Sequence, residues 1–365
     1  MKRKLLVATG GGDCPGLNAV IRGIVRRASL EPDWEVYGSI EAYNGVMSDP
    51  FDIVRLDNRS VSGIHVRGGT IIGTTNKGNP MEYPVLQPDG TYKSEDRTDF
   101  LIERMREFGA DALISIGGDG SQRISKALYD KGFNVIGVPK TIDNDLSATD
   151  FTFGFQTAVQ IATEALDKLV TTAASHNRVM IMEVMGRDAG WIALHTALAG
   201  GAEICLIPEI PYNPAVVLDQ ISRRYSRKRG FVNIVIAEGA TPLSGEVTGQ
   251  VSQELGYQHV HLGGVGYRLQ QELKACGCDA DIRVTVLGHT QRGGTPTAFD
   301  RVLATAFGVY SFELVLARQF GRMVSFRNNT IVDVTLEEAT AHYNHVDLDC
   351  YQMRTARGVG ISFGE

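Results

Sequence analysis

Short apolar runs that end in glycine or polar residues recur along this 365-residue chain. The runs are rich in Val and Ile and do not alternate with polar residues, which is typical of strands buried on both faces of a parallel sheet. They read LLVAT, ALISI, NVIGV, RVMIMEV, EICLI, FVNIVIA and RVTVL. Helical patterns lie between them at Leu17–Ala28, Gln122–Asp130 and Gln156–Ala173. This alternation predicts an α/β protein with doubly wound, mostly parallel sheets.

Length and composition limit the classes of protein to consider. The chain exceeds the usual size of one domain, so two domains are expected. A net charge of −6 and the absence of a long basic run argue against nucleic-acid binding. No apolar run approaches the length of a membrane span, and the five cysteines lack zinc-ligand spacing. We therefore expect a cytoplasmic protein that binds no membrane.

Clusters of polar residues and glycine follow the apolar runs at their carboxyl ends, where open α/β sheets bind ligands. In TGGGDCPGLN, three consecutive glycines around Gly11 would let backbone N–H groups approach an anion. The segment matches neither the dinucleotide-binding motif nor the P-loop. A glycine-rich turn without a ligand fits this segment equally well.

The segment GGDGS supplies Gly118, Asp119, Gly120 and Ser121 after the second apolar run. One carboxylate beside a phosphate-binding turn suits Mg²⁺, which usually takes one or two carboxylates together with phosphate oxygens. The alternative is a plain turn followed by a serine cap. The motif favours a nucleotide or polyphosphate without choosing between them.

The segment PKTIDND places Lys140 and Thr141 beside two carboxylates, Asp143 and Asp145. Residues two apart in extended chain point the same way, so we expect both carboxylates on one side. They would repel each other unless a metal or cation compensates. One could act as a base toward a hydroxyl while the other helps to place the metal; a solvated turn is the alternative.

Later apolar runs also end in charged residues with possible binding roles. Arg187 could clamp a phosphoryl oxygen with its planar guanidinium, and Glu238 is suited to sugar hydroxyls. Arg283, His289 and Arg292 surround one predicted strand and suggest an anion pocket.

Seven motifs together resemble the phosphofructokinase family, and they span residues 7 to 301. In order they are GGGDCPGLNAVIRG, GGDGS, TIDND, SHNR, VMGRDAG, AEG and LGHTQRGGTPTAFDR. The resemblance implies two α/β domains with the active site in the cleft between them. It implies phosphoryl transfer to the 1-hydroxyl of fructose 6-phosphate with Mg²⁺, a step of glycolysis. The expected domains are 1–154 plus about 291–341 for the donor, and 155–290 plus about 342–365 for the sugar phosphate.

The resemblance also assigns roles to individual residues. Asp143 corresponds to the catalytic base with Asp145 beside it, and Asp119 to the magnesium-associated acid. Thr141 and Arg187 correspond to groups that steady the transferring phosphoryl, and Lys140 adds a cation there. The donor side would comprise Gly11, Asn76, Lys77, Gly118, Asp119, Gly120 and Ser121; the sugar-phosphate site would comprise Met185, Gly186, Glu238, His289 and Arg292.

Two positions bear on the phosphoryl donor. Glycine at Gly120 leaves room for ATP, whereas relatives that use pyrophosphate tend to place an aspartate there. Lys140 points the other way, because pyrophosphate-dependent relatives carry lysine at that position. Asn76 takes the position where many ATP-using members carry an arginine, and Lys77 follows it, so the sequence leaves the identity of the donor-side cation open. We predict ATP, with pyrophosphate as the alternative.

The resemblance further implies self-association and leaves regulation open. Arg178 and Arg283 correspond to arginines that reach the substrate phosphate from a neighbouring subunit, which predicts a homodimer or homotetramer, with a tetramer favoured. Positions of a family effector site are matched by Arg22, Arg26, Arg59 and Arg229, although arginines on helix surfaces are common.

Two other functions compete with this interpretation. NAD kinases and lipid kinases share the GGDG motif but are not expected to carry PKTIDND together with LGHTQRGG. A non-catalytic subunit that binds sugar phosphate would be expected to lack the base. Asp143 is present, which favours an intact enzyme.

Overall fold

The computed structural model describes residues 2–226, 230–245, 249–254 and 257–365. Its strands are β1 (Arg3–Thr9), β2 (Trp34–Ser39), β3 (Ile53–Leu56), β4 (Tyr83–Leu86), β5 (Tyr92–Glu95), β6 (Ala112–Gly117), β7 (Val135–Thr141), β8 (Phe153–Gly154), β9 (Val179–Val184), β10 (Ile204–Leu206), β11 (Val232–Ala237), β12 (Gly249–Glu254), β13 (Tyr257–Leu262), β14 (Ile282–Val286), β15 (Arg322–Arg327) and β16 (Thr330–Thr335). All of the apolar runs from the sequence form strands, because each can be covered by helices on both faces.

The α-helices lie between the strands. They are α1 (Leu17–Ala28), α2 (Asn44–Met47), α3 (Thr98–Phe108), α4 (Asp119–Asp130), α5 (Phe155–His176), α6 (Trp191–Gly200), α7 (Pro214–Tyr225), α8 (Val265–Ala275), α9 (Ala298–Leu316), α10 (Leu336–Ala339) and α11 (Tyr351–Gly358). Short 3-10 turns occupy Ile64–Val66, Pro80–Glu82 and Gly288–Arg292. No helix among the described residues is long and apolar enough to cross a bilayer.

Two sheets organise the described residues. The first has the order β16-β15-β7-β6-β1-β2-β3, with β8 also paired to β7. Its central strands are parallel, whereas β16 and β3 close its edges in antiparallel pairs. The second sheet has the order β10-β11-β9-β14 and is wholly parallel. The expected α/β class with mostly parallel sheets is confirmed.

The two sheets divide the chain near the predicted domain boundaries. Strands β1 to β3, β6 to β8, β15 and β16 belong to the first sheet, and β9 to β11 and β14 to the second. This partition supports the proposed domains, 1–154 plus about 291–341 and 155–290 plus about 342–365, which remain a prediction. The hairpin of β12 and β13 lies inside the long segment between Thr241 and Asp281.

Helix α1, which follows the first glycine cluster, is fixed by a close approach to helix α9. A Cβ on Gly308 would lie 2.3 Å from the backbone oxygen of Val20, and one on Gly23 would lie 2.7 Å from that of Thr305. Only glycine permits this backbone-to-backbone distance. The glycine loop before α1 is therefore anchored against the same helix that follows Arg292.

Candidate active site

The loops after β1, β6 and β7 meet at one edge of the first sheet, because these strands are neighbours and parallel. They border a cleft of about 360 Å³. Many of the residues expected to bind the donor or take part in the chemistry line it. Those residues are Gly11, Asn76, Lys77, Gly118, Asp119, Gly120, Ser121, Lys140, Thr141, Asp143, Asp145 and Arg292.

The first glycine cluster is held open by a crossing segment. The backbone N–H of Gly11 donates to the Thr75 oxygen at 3.0 Å, and the Thr74 hydroxyl donates to the Gly11 oxygen at 2.6 Å. These bonds place Asn76 and Lys77 along the rim of the cleft. The sequence pattern did not reveal this contact, because it joins residues far apart in the chain.

Helix α4 begins at Asp119, three residues before the start predicted from the sequence. Asp119, Gly120 and Ser121 therefore occupy its first turn, directly at the cleft. The first turn of a helix has unpaired backbone N–H groups and the positive end of the dipole, both of which suit phosphate. The prediction missed this turn because glycine and serine have weak helix propensity.

The carboxylate of Asp119 has two donors in the structure. Its Oδ2 accepts from Arg123 Nε at 2.8 Å and from the Tyr343 hydroxyl at 3.0 Å. Burial, followed by the charge of Asp119, raises the pKa of Tyr343. One oxygen of Asp119 is thus engaged, and the carboxylate has a fixed orientation.

The expectation that Asp143 and Asp145 lie in extended chain is wrong. Strand β7 ends at Thr141, and Asn144 has a left-handed backbone with φ of 53°. Both carboxylates nevertheless line the same cleft. The turn after β7, and not the alternation of side chains along a strand, brings them together. The Thr141 hydroxyl accepts from the Asp143 N–H at 3.1 Å and so supports the start of this turn.

Both carboxylates are poised to hold or accept a proton. Oδ1 of Asp143 and Oδ1 of Asp145 are buried without a hydrogen-bond partner among the described residues. Burial raises the pKa of both groups, and the charge of Asp145 adds to the shift at Asp143. Unpartnered buried oxygens of this kind are costly in a structure and cluster at sites that bind or react.

Two cations border the aspartates. Lys140 is 5% exposed and its Nζ donates to the Gly12 oxygen, and burial lowers the pKa of this lysine. The guanidinium of Arg292 lies directly over Gly12, where a Cβ would come 1.7 Å from its Nη1. The third glycine of the cluster therefore makes room for the arginine.

A second group of predicted residues lies at the carboxyl ends of β9 and β11. The Glu238 N–H donates to the Val184 oxygen at 2.9 Å, and the Met185 N–H donates to Gln291 Oε1 at 3.3 Å. Burial, with the charge of Glu183 next, raises the pKa of Glu238 to about 7. Gly186 is buried beside these residues, whereas the Arg187 side chain is 58% exposed. The charges of Glu238 and Arg292 act on Asp143, which connects this group to the cleft.

Other predicted residues lie apart from the cleft. Arg178 and Arg283 sit at the amino ends of β9 and β14, where both pair with Asp281 at 2.6 Å and 3.2 Å. That is the end of the sheet opposite Met185. His289 is exposed within the 3-10 turn that carries Arg292. Within one chain, Arg178 and Arg283 are therefore not brought together with the residues that line the cleft.

The positions matched to an effector site are scattered in exposure. Arg22 is half-buried in α1, Arg26 and Arg59 are exposed, and Arg229 lies outside the described residues. These exposures do not distinguish an effector site from ordinary surface arginines, so regulation stays open.

Cys276 and Cys278 are free cysteines and form no disulfide with each other.

The donor set of the cleft suits a hard cation that also binds phosphate. Among the described residues, no cluster of three or more His, Cys, Asp or Glu side chains forms a complete metal cage. Mg²⁺ does not need one, because one or two carboxylates with phosphate oxygens and water complete its shell. The orphan oxygens of Asp143 and Asp145 and the oriented Asp119 fit that requirement.

Sequence reasoning missed several residues that border the site. The third glycine of the cluster, Gly12, was visible as part of a GGG run but its partner was not. Tyr343 and Asn344 lie some two hundred positions from the segments they contact, at Asp119 and Asn144. No local motif marks them, so only the folded chain identifies them.

Known proteins and a family model are similar in sequence to most of this chain. The family model described as phosphofructokinase matches residues 4–315. ATP-dependent 6-phosphofructokinase 2 of Clostridium perfringens is 46% identical over 100% of this chain and 99% of its own length. The pyrophosphate–fructose 6-phosphate 1-phosphotransferase of Amycolatopsis methanolica is 47% identical over 95% of this chain and 97% of its own length.

A solved structure shares the fold. The crystal structure of Pichia pastoris phosphofructokinase in the T-state has a TM-score of 0.78 and 30% identity over 93% of this chain. This chain covers 36% of that longer one. With a family model and full-length relatives in agreement, and with the glycine loops and aspartates in one cleft, this chain belongs to the phosphofructokinase family.

Proposed function

We propose that this protein transfers the γ-phosphoryl group of ATP to the 1-hydroxyl of fructose 6-phosphate, which gives fructose 1,6-bisphosphate and ADP. The observation that carries the proposal is the buried oxygen Oδ1 of Asp143, which has no hydrogen-bond partner among the described residues and lines the same cleft as a helix N-terminus and a glycine loop. Phosphoryl transfer needs positioning, cations and one base, and the cleft supplies these.

In the proposed reaction Asp143 takes the proton of the 1-hydroxyl as the new O–P bond forms and the bond from the γ-phosphorus to the ADP oxygen breaks. Its raised pKa suits this task, because a base works best when its pKa is near the operating pH. Lys140, Thr141 and Arg187 would stabilise the charge on the transferring phosphoryl group. Asp145 lies beside the base, and its charge contributes to the raised pKa of Asp143.

Mg²⁺ would be held by Asp119, with Asp143 and Asp145 near by, and would neutralise charge on the donor phosphates. The N-terminal turn of α4, with Gly118 and Gly120, would bind the phosphates through backbone N–H groups.

We assign the sugar phosphate to the second group of residues. Glu238 and the backbone of Met185 and Gly186 would contact the sugar, and Arg292 would bind its phosphate with His289 near by. The cationic residues at the opposite end of the sheet, Arg178 and Arg283, would then belong to a site on a neighbouring subunit. Their distance from the cleft of their own chain supports this assignment.

Pyrophosphate as donor is the second candidate, and two observations favour it. Lys140 is a buried cation directly at the cleft, and a relative named as a pyrophosphate-dependent enzyme is 47% identical to this chain. A lysine there can serve either donor, however. Against it, apart from the chain neighbours and the backbone of its own helix, no described atom lies within 4 Å of where a Cβ on Gly120 would stand, so the space next to the phosphate turn is open.

The donor prediction is tested by comparing kcat/KM for MgATP and magnesium pyrophosphate at saturating fructose 6-phosphate. We expect a clear preference for ATP. Gly120→Asp should lower kcat/KM for ATP by about tenfold or more, since a carboxylate beside the phosphates is repulsive. Gly120→Asn has the same shape without the charge and should lose less. A preference for pyrophosphate in the native protein would overturn the choice of donor.

If the substrate sites are shared between subunits, a second prediction concerns the assembly of the protein. If Arg178 and Arg283 act across a subunit boundary, the protein should be a dimer or tetramer in solution, as measured by light scattering. Mixing Arg283→Ala protein with Asp143→Ser protein should restore activity, because a hybrid interface contains one intact site. Absence of recovery, after subunit exchange has been demonstrated with labelled chains, would contradict shared sites.

A further inference from the structure

A short segment near the carboxyl end of the chain crosses between the loops of the two sheets. It comprises Tyr343–Val346 and is called the C-terminal strap below. Tyr343 pairs with Leu146 in an isolated antiparallel bridge, just after the aspartate turn. The strap contributes no group to the proposed chemistry, yet it touches several segments that do.

Toward the first sheet, the strap holds the turn that carries the aspartates. The Asn344 side-chain amide donates to the Asn144 oxygen at 2.8 Å, and the Asn344 backbone N–H donates to the Asp145 oxygen at 2.8 Å. One carbonyl belongs to the left-handed residue Asn144, whose φ is 53°, and the other to the next residue, Asp145. Such a backbone persists where its surroundings fix it. Asn344 therefore helps to set the direction of Asp143 and Asp145.

Toward the second sheet, the same residue is anchored beside Arg187. The Trp191 indole N–H donates to the Asn344 oxygen at 2.8 Å, and His345 Nδ1 lies 2.9 Å from the Asp188 oxygen. The Val346 N–H donates to Glu209 Oε1 at 2.8 Å, and that carboxylate also accepts from the Gly190 N–H at 3.0 Å. Asp188, Gly190 and Trp191 follow Arg187 within four positions, and the carboxylate of Glu209 links Gly190 to the strap.

Tyr343 adds a contact to the donor side through its bond to Asp119 Oδ2. The strap thus joins the magnesium-associated acid, the base and the segment of Arg187. These groups follow different strands of the two sheets.

We propose that the C-terminal strap is a positioning element, and that Asn344 is the positioning residue that holds the aspartate turn in register with the Arg187 segment. This inference rests on the proposed function. A misplacement of about 1 Å by a remote substitution can cost on the order of a hundredfold in rate, so a loosened turn should affect the chemical step before binding.

The test is Asn344→Ala in the full-length protein. We expect kcat for fructose 6-phosphate phosphorylation to fall by about tenfold or more, with KM for both substrates and binding of fructose 6-phosphate by calorimetry nearly unchanged. Trp191→Phe keeps an aromatic ring but removes the indole N–H that donates to Asn344, and it should also lower kcat. If both act through the strap, the double variant should be little worse than Asn344→Ala, because coupled residues are non-additive.

The matched control is His342→Ala, at an exposed residue next to the strap. It should leave kcat unchanged. A native kcat in Asn344→Ala would overturn the inference. So would equal losses of kcat in Asn344→Ala and His342→Ala, or full additivity between Asn344→Ala and Trp191→Phe. A lower melting temperature with native kcat per folded molecule would also overturn it. If the native protein does not phosphorylate fructose 6-phosphate at all, the proposed function fails instead.

Discussion

Asp143→Ser is expected to lower kcat for phosphorylation of fructose 6-phosphate by about a hundred- to ten-thousandfold. The serine cannot take the proton from the 1-hydroxyl as the phosphoryl group arrives. KM for the sugar phosphate should change little, because the residues assigned to bind it, Glu238 and Arg292, stay in place. Steady-state kinetics with a coupled assay for ADP measures both quantities.

The pH profile separates a base from a structural carboxylate. Burial and the charge of Asp145 raise the pKa of Asp143, so its ionised form is lost as pH falls, at a higher pH than for an exposed carboxyl. In the native protein, kcat/KM for fructose 6-phosphate should therefore decrease toward acid pH, and Asp143→Ser should lose this limb. Asp143→Asn, which keeps the shape without the charge, should show the same loss of turnover. Near-native turnover in either variant would rule out the assigned role.

Gly12→Ala is expected to lower kcat/KM for fructose 6-phosphate by about ten- to a hundredfold. The added Cβ would stand 1.7 Å from Arg292 Nη1, so the guanidinium must leave its place over the glycine. A hydrogen bond to a charged group contributes about 1.5–3 kcal/mol, and about 1.4 kcal/mol corresponds to a factor of ten. The loss should be greater for the sugar phosphate than for ATP, as kcat/KM measured for each substrate will show.

Gly358→Ala is the matched control for this variant. It adds the same methyl group to the last residue of helix α11, which does not line the cleft; apart from chain neighbours and the helix's own backbone, no atom lies within 4 Å of the added Cβ, and the helical position favours alanine. Its kinetics should be near native. The melting temperature of Gly12→Ala should also be near native, because the clash involves the end of a flexible side chain. Equal kinetics for the two alanine variants would show that Arg292 does not depend on Gly12.

Local patterns carried much of the prediction. The apolar runs at β1, β6 and β7 formed neighbouring parallel strands, and the polar clusters after them came together, because carboxyl ends of parallel strands meet at one edge. Predictions based on local conformation were less successful. The start of α4 was placed three residues late, and the aspartate turn was taken as extended although Asn144 is left-handed.

The sequence by itself determined the α/β class and predicted many of the residues that line the cleft at the carboxyl ends of the strands, since apolar periodicity and short motifs are local properties. Only the tertiary structure decided that Arg292 lies over Gly12, that one oxygen each of Asp143 and Asp145 is buried without a partner among the described residues, and that Asn344 joins their turn to the second sheet. It also separated Arg178 and Arg283 from the cleft of their own chain. These features depend on contacts between residues far apart in the chain, whose distances and burial are fixed by packing and leave no pattern in the neighbouring sequence.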